Sequence, residues 1–442
     1  MNTKRPKIAV IGAGWAGLSA AVSLIHRADI SLFEAGRQAG GRARALAGKD
    51  DGFSFLDNGQ HILLGAYHGV QTLMQHIGVQ PESAFLRQPL QWYIHEGLQF
   101  QTAGLQFQTA SLPAPWHLLV GILHAKNLSF SLKIKLLSDM SALQRWAAHH
   151  KTDLTVAKWL RTRNVPRSLL GQFWQPLVWG ALNTPLEQAS LRILCNVLND
   201  GVWSEKANSD YLLPKQDLGR IVAEPALDFL HKHGAKIHLE TRVSHLNHHI
   251  DGRIEINGEV FDAVILAVAP YHVDALLPED TPDYIQTAYQ SLHYHAITTV
   301  YLRYAQAVKL PAPLTGFADG AAQWVLHRGA LGLPDNEVAV VISVADCTEA
   351  WKDKDLAEKI HADIKRVCPD LGMPEAVRII TEKRATTAAT VDFVQPDFSW
   401  LHHRRIYPAG DYLHPRYPAT LEAAVQSGFA AAEKLMLDLR FE

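Results

Sequence analysis

Three glycines divide the apolar stretch IAVIGAGWAGLSAAVSLI (8–25), which has no charged residue and follows three basic residues. Its length and lack of charge would suit a short membrane-spanning helix or a secretory signal. Gly12, Gly14 and Gly17, however, separate a strand-like half rich in β-branched residues from a helix-like half. This spacing is the G-x-G-x-x-G turn of a βαβ unit that binds a dinucleotide. We therefore predict a nucleotide-binding unit that folds in water.

The chemistry of a dinucleotide explains the residues around this turn. The first glycine allows the tight turn, the second lets the backbone approach a pyrophosphate, and the third lets the helix pack against the sheet. The phosphate then faces the positive end of the helix, where Trp15 and Ala16 are further predicted contacts. A second strand, residues 30–33, ends in Glu34, whose carboxylate can accept hydrogen bonds from ribose hydroxyls.

The helix-like half and the overall composition indicate a soluble globular protein. Leu18, Ala21, Val22 and Ile25 would share one helix face. At 442 residues the chain is long enough for two domains, and its formal net charge of -2 gives no support for a nucleic-acid partner. Three widely spaced cysteines make a disulfide framework improbable and favour a cytoplasmic setting.

Membrane and metal sites receive little support from the sequence. After residue 25 no apolar run approaches the length of a membrane span, which leaves peripheral contact with the inner face of the membrane open. The 23 histidines include three adjacent pairs, but no Cys/His cluster has zinc spacing. No metal site is therefore predicted.

Nucleotide-fold features recur in three separated parts of the chain. After the N-terminal unit, strand-like stretches at 235–239 and 241–243 lead to the apolar run FDAVILAV (261–268), which is typical of a buried parallel strand. Near the C-terminus, RIYPAG (405–410) precedes a helix predicted from about Thr420 to Leu437. The sequence thus predicts an α/β fold with two domains. The nucleotide-binding domain is formed by residues 1–80, 205–284 and 396–442. The inserted α+β substrate domain, which includes a helical cap, is formed by residues 81–204 and 285–395.

The inserted segments predict an apolar cleft. Residues 111–200 have helical patterns and contain five of the eleven tryptophans, whereas 297–302 and 338–342 alternate as strands do. Any single tryptophan is most simply a core residue. As a group, they indicate an apolar substrate.

Three further motifs predict contacts to the same ligand. In AGRQAGGRARAL (35–46), Gly41 allows a close backbone approach and Arg42 offers a planar fork of donors. FLDNGQH (55–61) has the pattern of a strand running into a turn. Near the C-terminus, Gly410-Asp411 follows a strand, and the final helix after Ala419 and Thr420 begins with its positive end toward the ligand.

Together these motifs resemble the FAD enzymes of the amine oxidase and phytoene desaturase superfamily, with a GR2-type Rossmann-like domain. Within it the chain is similar to the hydroxysqualene dehydroxylase family, the squalene-associated flavoproteins of bacterial hopanoid pathways. The narrower resemblance spans Gly12 to Gly428 and rests on the blocks DNGQH (57–61), ALNTPLEQAS (181–190), QW (323–324), AGD (409–411) and PATLE (418–422).

The resemblance implies a role for each candidate residue. Non-covalent FAD would bind with its pyrophosphate at Gly12, Gly14 and Gly17 and its adenosine ribose at Glu34. Gly41 and Arg42 would line the diphosphate, the Val243 backbone would contact the adenine, and Asp411 would bind the ribitol or diphosphate. Gly59, Gln60 and His61 would lie beside the isoalloxazine ring. Trp15, Ala16, Gly410, Ala419 and Thr420 complete the predicted contacts. The loop YLHPRY (412–417) departs from the family pattern, which puts the local flavin contacts in doubt.

The implied reaction removes the allylic hydroxyl of hydroxysqualene and adds a hydride from reduced flavin, which gives squalene. The protein must then protonate or hydrogen-bond the departing oxygen and exclude water. His61 is the predicted acid, because an imidazole near its ordinary pKa can donate a proton at neutral pH. A histidine that only holds the turn is the structural alternative.

Other roles remain open at this stage. With one G-x-G-x-x-G turn, the electron source is a reduced nicotinamide that binds transiently, or another donor such as a partner protein. A partner enzyme of the same pathway is also open. A polyene desaturase or an amine oxidase would run the flavin in the opposite direction. A non-catalytic prenyl-lipid carrier would not need turns adapted to phosphate.

Overall fold

The computed structural model describes residues 5–46, 52–96, 103–149, 152–391, 393 and 396–439. Its strands are β1 Lys7–Ile11, β2 Asp29–Phe33, β3 Leu63–Leu64, β4 Phe85–Gln88, β5 Gln91–His95, β6 Ala103–Gln108, β7 Tyr211–Pro214, β8 Lys236–His238, β9 Asn247–His248, β10 Ile254–Ile256, β11 Glu259–Phe261, β12 Ala263–Leu266, β13 Tyr294–Arg303, β14 Leu314–Phe317, β15 Trp324–His327, β16 Glu337–Ile342, β17 Ala376–Thr387 and β18 Ile406–Pro408.

The α-helices are α1 Trp15–Leu24, α2 His68–His76, α3 Pro81–Ala84, α4 Trp116–Leu123, α5 Phe130–His149, α6 Val156–Thr162, α7 Arg167–Leu169, α8 Gln175–Leu182, α9 Leu191–Leu198, α10 Glu224–Lys232, α11 Asp283–Gln290, α12 Leu356–Lys365, α13 Ser399–His402 and α14 Leu421–Asp438. Short π-helices span Leu170–Trp174, Asn199–Trp203 and Gly219–Ala223, and 3-10 turns span Lys206–Ser209, Pro270–His272, Asp274–Leu276, Arg328–Leu331, Ala350–Lys352 and Asp411–Leu413. Among the described helices, none has both the length and the apolar character needed to cross a bilayer.

A five-stranded parallel sheet unites the nucleotide-fold features of the sequence. Its order is β18-β12-β1-β2-β8, so strands from the N-terminal, middle and C-terminal parts of the chain lie side by side. β1 is central and pairs with β2 and β12. The carboxyl ends of these parallel strands therefore meet at one edge, which is where such sheets bind ligands.

Helix α1 is buried on all sides rather than on one face. Nine of its ten residues are buried, because it lies between the parallel sheet and α14. Gly428 makes this contact close, since a Cβ at that position would lie 2.1 Å from the Ala16 carbonyl oxygen. The Ser19 hydroxyl donates to the Val425 carbonyl across the same contact. The sequence predicted one apolar face for this helix, whereas in the structure nearly the whole helix surface is buried.

A seven-stranded sheet and a helical layer form the other half of the molecule. The sheet order is β17-β13-β16-β15-β14-β5-β6, which joins strands from before and after the helical region. The helices between 116 and 203 pack on it around a core rich in tryptophan and leucine. The strands predicted at 297–302 and 338–342 are the central parts of β13 and β16.

A small third sheet lies where the predicted domains meet. Its order is β3-β7-β4, and β4 lies beyond residue 80, on the other side of the predicted boundary from β3. The exact domain boundaries therefore stay a prediction.

Candidate functional site

A cavity of about 1210 Å³ runs from the edge of the parallel sheet to the helical layer. Its volume exceeds the range of roughly 300–1,000 Å³ that is usual for a site holding one small ligand. Fifteen of the sixteen predicted site residues line it: Gly12, Gly14, Trp15, Ala16, Glu34, Gly41, Arg42, Gly59, Gln60, His61, Val243, Gly410, Asp411, Ala419 and Thr420. Residues that are far apart in sequence thus converge on one space.

The glycine turn leaves backbone groups open to this cavity. Gly12 has φ +102°, and a Cβ there would lie 2.5 Å from the Ala267 carbonyl oxygen, so only glycine fits. Gly14 is the N-cap of α1 and supplies no side chain to bind the first N–H groups of the helix. A Cβ on Gly41 would lie 3.1 Å from the Gly14 Cα. The helix N-terminus therefore has room for an anion.

Gly17 has a different position from the other glycines of the motif. It is absent from the cavity wall, and a Cβ there would lie 1.9 Å from the Gly12 carbonyl oxygen and 3.2 Å from the Ala267 Cβ. Its role is to let α1 pack against the turn and the sheet, as the third glycine of such motifs does.

Glu34 closes the turn at the end of β2. Its carboxylate accepts hydrogen bonds from the Ala13 N–H at 2.8 Å and from the Gly36 N–H at 2.7 Å. The backbone N–H of Thr241 donates to the Glu34 carbonyl, which brings the segment with Val243 to the same end of the cavity. Residues 241–246 are irregular, so the strand predicted at 241–243 is wrong.

Arg42 and Asp411 join the N-terminal and C-terminal parts of the site. The guanidinium group of Arg42 donates to Asp411 Oδ1 at 2.6 Å and to the Ala385 carbonyl at 2.7 Å. Asp411 is 7% exposed, and this pair is the charged contact that its burial requires. The arrangement ties residues 41–42, β17 and the segment after β18 together.

The final helix begins close to the predicted place, but its N-terminus is capped by the protein itself. The Thr420 hydroxyl accepts from the Ala423 N–H at 3.0 Å, and Ala419 has φ +67°. Glu422 is buried and accepts from the N–H groups of Gly69 and Val70 at the start of α2. No pattern in the sequence indicated this contact between the two helices.

The strand predicted to run into a turn within residues 55–61 is also wrong, because the segment forms only an isolated β-bridge, between Asp57 and Ala45, and is otherwise irregular. The segment instead bonds to two neighbouring strands of the seven-stranded sheet, β17 and β13. The Asn58 side-chain amide donates to the Arg42 carbonyl at 3.2 Å and to Glu382 Oε2 at 3.1 Å. The Gln60 N–H donates to the Thr299 hydroxyl at 3.4 Å. The Gln60 side-chain amide and His61 Nδ1 are buried without a hydrogen-bond partner among the described residues.

The surroundings of His61 change the sequence-based interpretation of its chemistry. The pKa of His61 is lowered from 6.5 to about 4, mainly because the ring is buried and partly because of the positive charge of Arg42, whereas a hydrogen bond with the Gly59 backbone opposes the shift. The imidazole is therefore neutral at pH 7. The assumption that His61 titrates near its ordinary pKa was wrong.

Asp57 holds the same loop from behind. It is fully buried, and its carboxyl group accepts from the Leu218 N–H at 3.2 Å. Burial raises its pKa to about 8, an effect strengthened by Asp217 and opposed by the Leu218 hydrogen bond and by Arg328. The Tyr301 hydroxyl lies 3.3 Å from the Asp57 carbonyl oxygen. Asp57 is absent from the cavity wall, so its role is to position residues 58–61.

Beyond Gln60 and His61 the cavity wall becomes apolar. Its side chains come from the seven-stranded sheet and from the helical layer, and include Trp92, Phe107, Met140, Phe173, Leu177, Trp179, Leu198, Leu314 and Trp324. Trp92 lies edge-on to Trp324, with ring centroids 5.2 Å apart. This part of the cavity can hold a long apolar ligand next to the polar part.

Asn183 explains the ALNTP block, whose chemistry the sequence left unassigned. It lines the cavity, has φ 45° at the end of α8, and its Oδ1 accepts from the Val344 N–H. Its amide donates to the Thr386 hydroxyl at 2.8 Å and to the His295 carbonyl at 3.3 Å. One side chain thus fixes α8 to the strands β13 and β17. The only sequence feature that pointed to these contacts was an Asn between a helical pattern and a proline.

The unusual loop 412–417 connects the two halves of the cavity wall. Arg416 makes a two-pronged ion pair with Asp200, with N–O distances of 2.7 and 3.1 Å. The His414 ring lies 2.9 Å from Gln426 Oε1, and Tyr417 and Asp200 both line the cavity. The loop therefore closes the cavity beside the π-helix Asn199–Trp203.

The chain is similar in sequence to two curated enzymes and in fold to a solved structure. The hydroxysqualene dehydroxylase of Zymomonas mobilis is 27% identical over 96% of this chain and 97% of its own length. The hydroxysqualene dehydroxylase of Rhodopseudomonas palustris is 28% identical, with 97% of each chain covered. The cyclohexylamine oxidase structure from Brevibacterium oxydans has the same fold, with a TM-score of 0.70 and 14% identity over 99% of this chain and all of that one.

A family profile described as flavin containing amine oxidoreductase matches residues 15–436, which include nearly all of the cavity wall. The family match implies a flavin as the cofactor. The chain belongs to the flavin containing amine oxidoreductase family.

Proposed function

We propose that this protein is an FAD-dependent enzyme that removes the allylic hydroxyl of hydroxysqualene reductively and releases squalene. The observation that carries the proposal is the continuous cavity, in which a nucleotide cradle opens into an apolar chamber. Full-length similarity to proteins named hydroxysqualene dehydroxylase supports the choice of substrate.

The residues of the polar part fit FAD. The uncapped start of α1 and the glycines around it suit a pyrophosphate, and Glu34 lies where a ribose would be bound. The unpartnered Gln60 amide and His61 Nδ1 suit the polar edge of a ring system. Bound here in its reduced form, FAD would supply a hydride. The described cavity wall contains no cysteine, which supports non-covalent binding.

The apolar chamber has two tasks in this reaction. Loss of an allylic hydroxyl leaves a delocalised cation on the substrate, which water would capture. Trp92, Phe173 and Trp324 line the chamber and exclude water, and their ring faces can stabilise a nearby positive charge.

His61 is proposed to act on the departing hydroxyl as a neutral hydrogen-bonding group. It lines the cavity at the point where the polar part meets the apolar part. Because its pKa is lowered to about 4, activity should not follow an imidazole titration between pH 6 and 8. The proton that turns the departing oxygen into water comes from solvent, because a neutral imidazole can donate a hydrogen bond but not a proton at pH 7. His61 Nδ1, which has no partner among the described residues, would donate that hydrogen bond to the departing oxygen in its N–H form.

Product analysis tests the function directly. The purified protein, prereduced without oxygen, is incubated with hydroxysqualene, and squalene is measured by mass spectrometry; reduction by a nicotinamide or by a partner protein can be compared in the same assay. Squalene formation coupled to flavin oxidation is expected. Bleaching of oxidised flavin by a polyene or an amine would instead indicate a desaturase or an amine oxidase. A colourless protein that still binds polyisoprenoids would be a carrier.

His61→Ala tests the assigned residue. We expect it to retain FAD and to lose turnover roughly 100-fold, a typical loss when a group that assists proton transfer is removed. His76→Ala is the matched control, because His76 is exposed at the end of α2 and away from the cavity. Undiminished turnover in His61→Ala would remove His61 from the mechanism.

A further inference from the structure

Helix α4 is largely apolar on both of its faces, although its outer face is partly open to solvent, with Trp116 exposed and Leu119, Val120 and Leu123 half-buried. Its inner face carries His117, Leu118, Gly121 and Ile122, all of which are buried. At 100° per residue, the opposite face carries Trp116, Leu119, Val120 and Leu123. Trp116 is 59% exposed. A helix that is apolar all round normally lies inside a protein or in a membrane.

The start of helix α5 continues this apolar surface. Phe130 and Ile134 lie one turn apart on its outer side and are 72% and 47% exposed. The two helices pack together, and the Lys133 amino group donates to the Leu123 carbonyl at the end of α4. We call the outer faces of α4 and α5, with Leu112 before them, the outer apolar surface.

The chain segment that carries the outer apolar surface has only basic charges up to residue 138. From residue 97 to residue 138 the chain has no Asp or Glu but has three lysines, of which Lys126 is exposed. The next acid, Asp139, is fully buried and is bound by both Lys135 and Arg163. Exposed aromatic and aliphatic side chains beside lysines are typical of helices that lie in the headgroup region of an anionic bilayer.

The inner sides of the same helices line the candidate site. Leu118 on α4 and Met140 on α5 are buried and belong to the cavity wall. The outer apolar surface is therefore separated from the cavity only by the thickness of these two helices. A bilayer in contact with this surface would lie next to the apolar chamber.

We propose that the outer apolar surface docks this protein onto the surface of an anionic lipid bilayer. The alternative partner for this surface is a second copy of the chain. A two-fold dimer would place the same lysines of both copies against each other, which is unfavourable. Docking does not depend on the proposed substrate, and its test uses no activity measurement.

Vesicle sedimentation tests the proposal with the purified flavin-loaded protein. Wild-type protein should pellet with vesicles of phosphatidylcholine and phosphatidylglycerol, and the double variant Trp116→Ser/Phe130→Ser should bind at least 10-fold more weakly. Ile250→Ser/Met373→Ser is the matched control, because these residues are strongly exposed elsewhere and should leave binding within 2-fold. Thermal unfolding should confirm that both variants are folded.

Charge and oligomeric state complete the test. Lys126→Glu should weaken binding to the anionic vesicles several-fold and leave binding to pure phosphatidylcholine unchanged. A wild-type protein that does not pellet with vesicles, or a folded Trp116→Ser/Phe130→Ser variant that binds as well as wild type, would overturn the proposal. So would a wild-type dimer, seen by light scattering, that the same variant converts to monomer without any vesicle binding in the wild type.

Discussion

The polar and apolar ends of the cavity differ in which part of the chain forms their walls. The polar end is made mostly of backbone, with glycines at the turn after β1 and at Gly41 and N–H groups at the start of α1. The apolar end is made of large side chains that come from the seven-stranded sheet and several helices. The polar end therefore depends on positions where a Cβ has no room, and the apolar end depends on how much side-chain volume fills the space.

This difference predicts opposite responses to substitution. At a glycine in contact with backbone, even one added methyl group must displace the main chain. At a glycine that faces the open chamber, an added side chain takes up space intended for a ligand without disturbing the fold. Gly17 and Gly180 represent the two cases.

Gly17→Ala should have the largest effect. The new Cβ would lie 1.9 Å from the Gly12 carbonyl oxygen, so α1 cannot keep its contact with the turn. We expect a loss of more than about 4 kcal/mol in the free energy of unfolding, or no soluble protein. Any soluble fraction should have a flavin content far below that of wild type, as measured by absorbance after denaturation.

Gly171→Ala is the control for this substitution. Gly171 lies in the π-helix Leu170–Trp174, and a Cβ there would meet no atom within 4 Å. Expression and flavin content should match wild type. A Gly17→Ala protein that kept its flavin and its melting temperature would break the distinction between the two ends.

Gly180→Leu should spare the cofactor and block the chamber. Gly180 lies on α8 in the cavity wall, and a Cβ there would approach no closer than 3.8 Å to its nearest neighbour, the Trp324 indole nitrogen. The leucine side chain would extend into the ligand space. Because misplacement by about 1 Å can cost roughly 100-fold, we expect turnover of hydroxysqualene to fall at least tenfold.

Gly180→Ala separates blocking from a change in the helix. Alanine is a better helix former than glycine by about 1 kcal/mol, so this variant should be as stable as wild type or more so, with similar turnover. Flavin content should be unchanged in both variants. If Gly180→Leu lost flavin as well, the two ends would not be independent.

The sequence predicted the polar end well, because short-range spacing determines it. Three glycines, an acid after the next strand and a Gly-Gly-Arg group all have a local physical meaning, and all but Gly17 line the cavity. The position of Gly17 follows the packing role that the motif also implies. The cofactor contacts themselves stay a prediction.

The sequence could not predict features that depend on distant residues. The DNGQH block has strand-like residues before it, but its backbone and side chains bond to β13, β17 and the Leu218 N–H. The neutral state of His61 follows from burial by parts of the chain that no local pattern identifies. The same holds for Asn183, which links α8 to two strands.

Asp57→Asn tests the loop that joins the two ends of the cavity. An unfolded aspartate titrates near pH 3.8, whereas burial raises the pKa of Asp57 to about 8 in the folded protein. The folded state then binds this proton more tightly, so the wild type loses stability as pH rises from about 4 to 8. Asparagine has no charge to bury, and its carbonyl oxygen can still accept from the Leu218 N–H.

The variant should therefore be as stable as wild type near pH 4 and more stable by at least about 1 kcal/mol, or roughly 2 °C in melting temperature, near pH 8. Above about pH 9 the difference should stay constant, because the wild-type carboxyl is then ionised in both states. Asp251→Asn is the control, since Asp251 is exposed and should show no such gain. A difference that did not change with pH would mean that Asp57 is ionised in the folded protein and compensated by Arg328, so that the loop between the two ends is held by charge instead of by a neutral hydrogen bond.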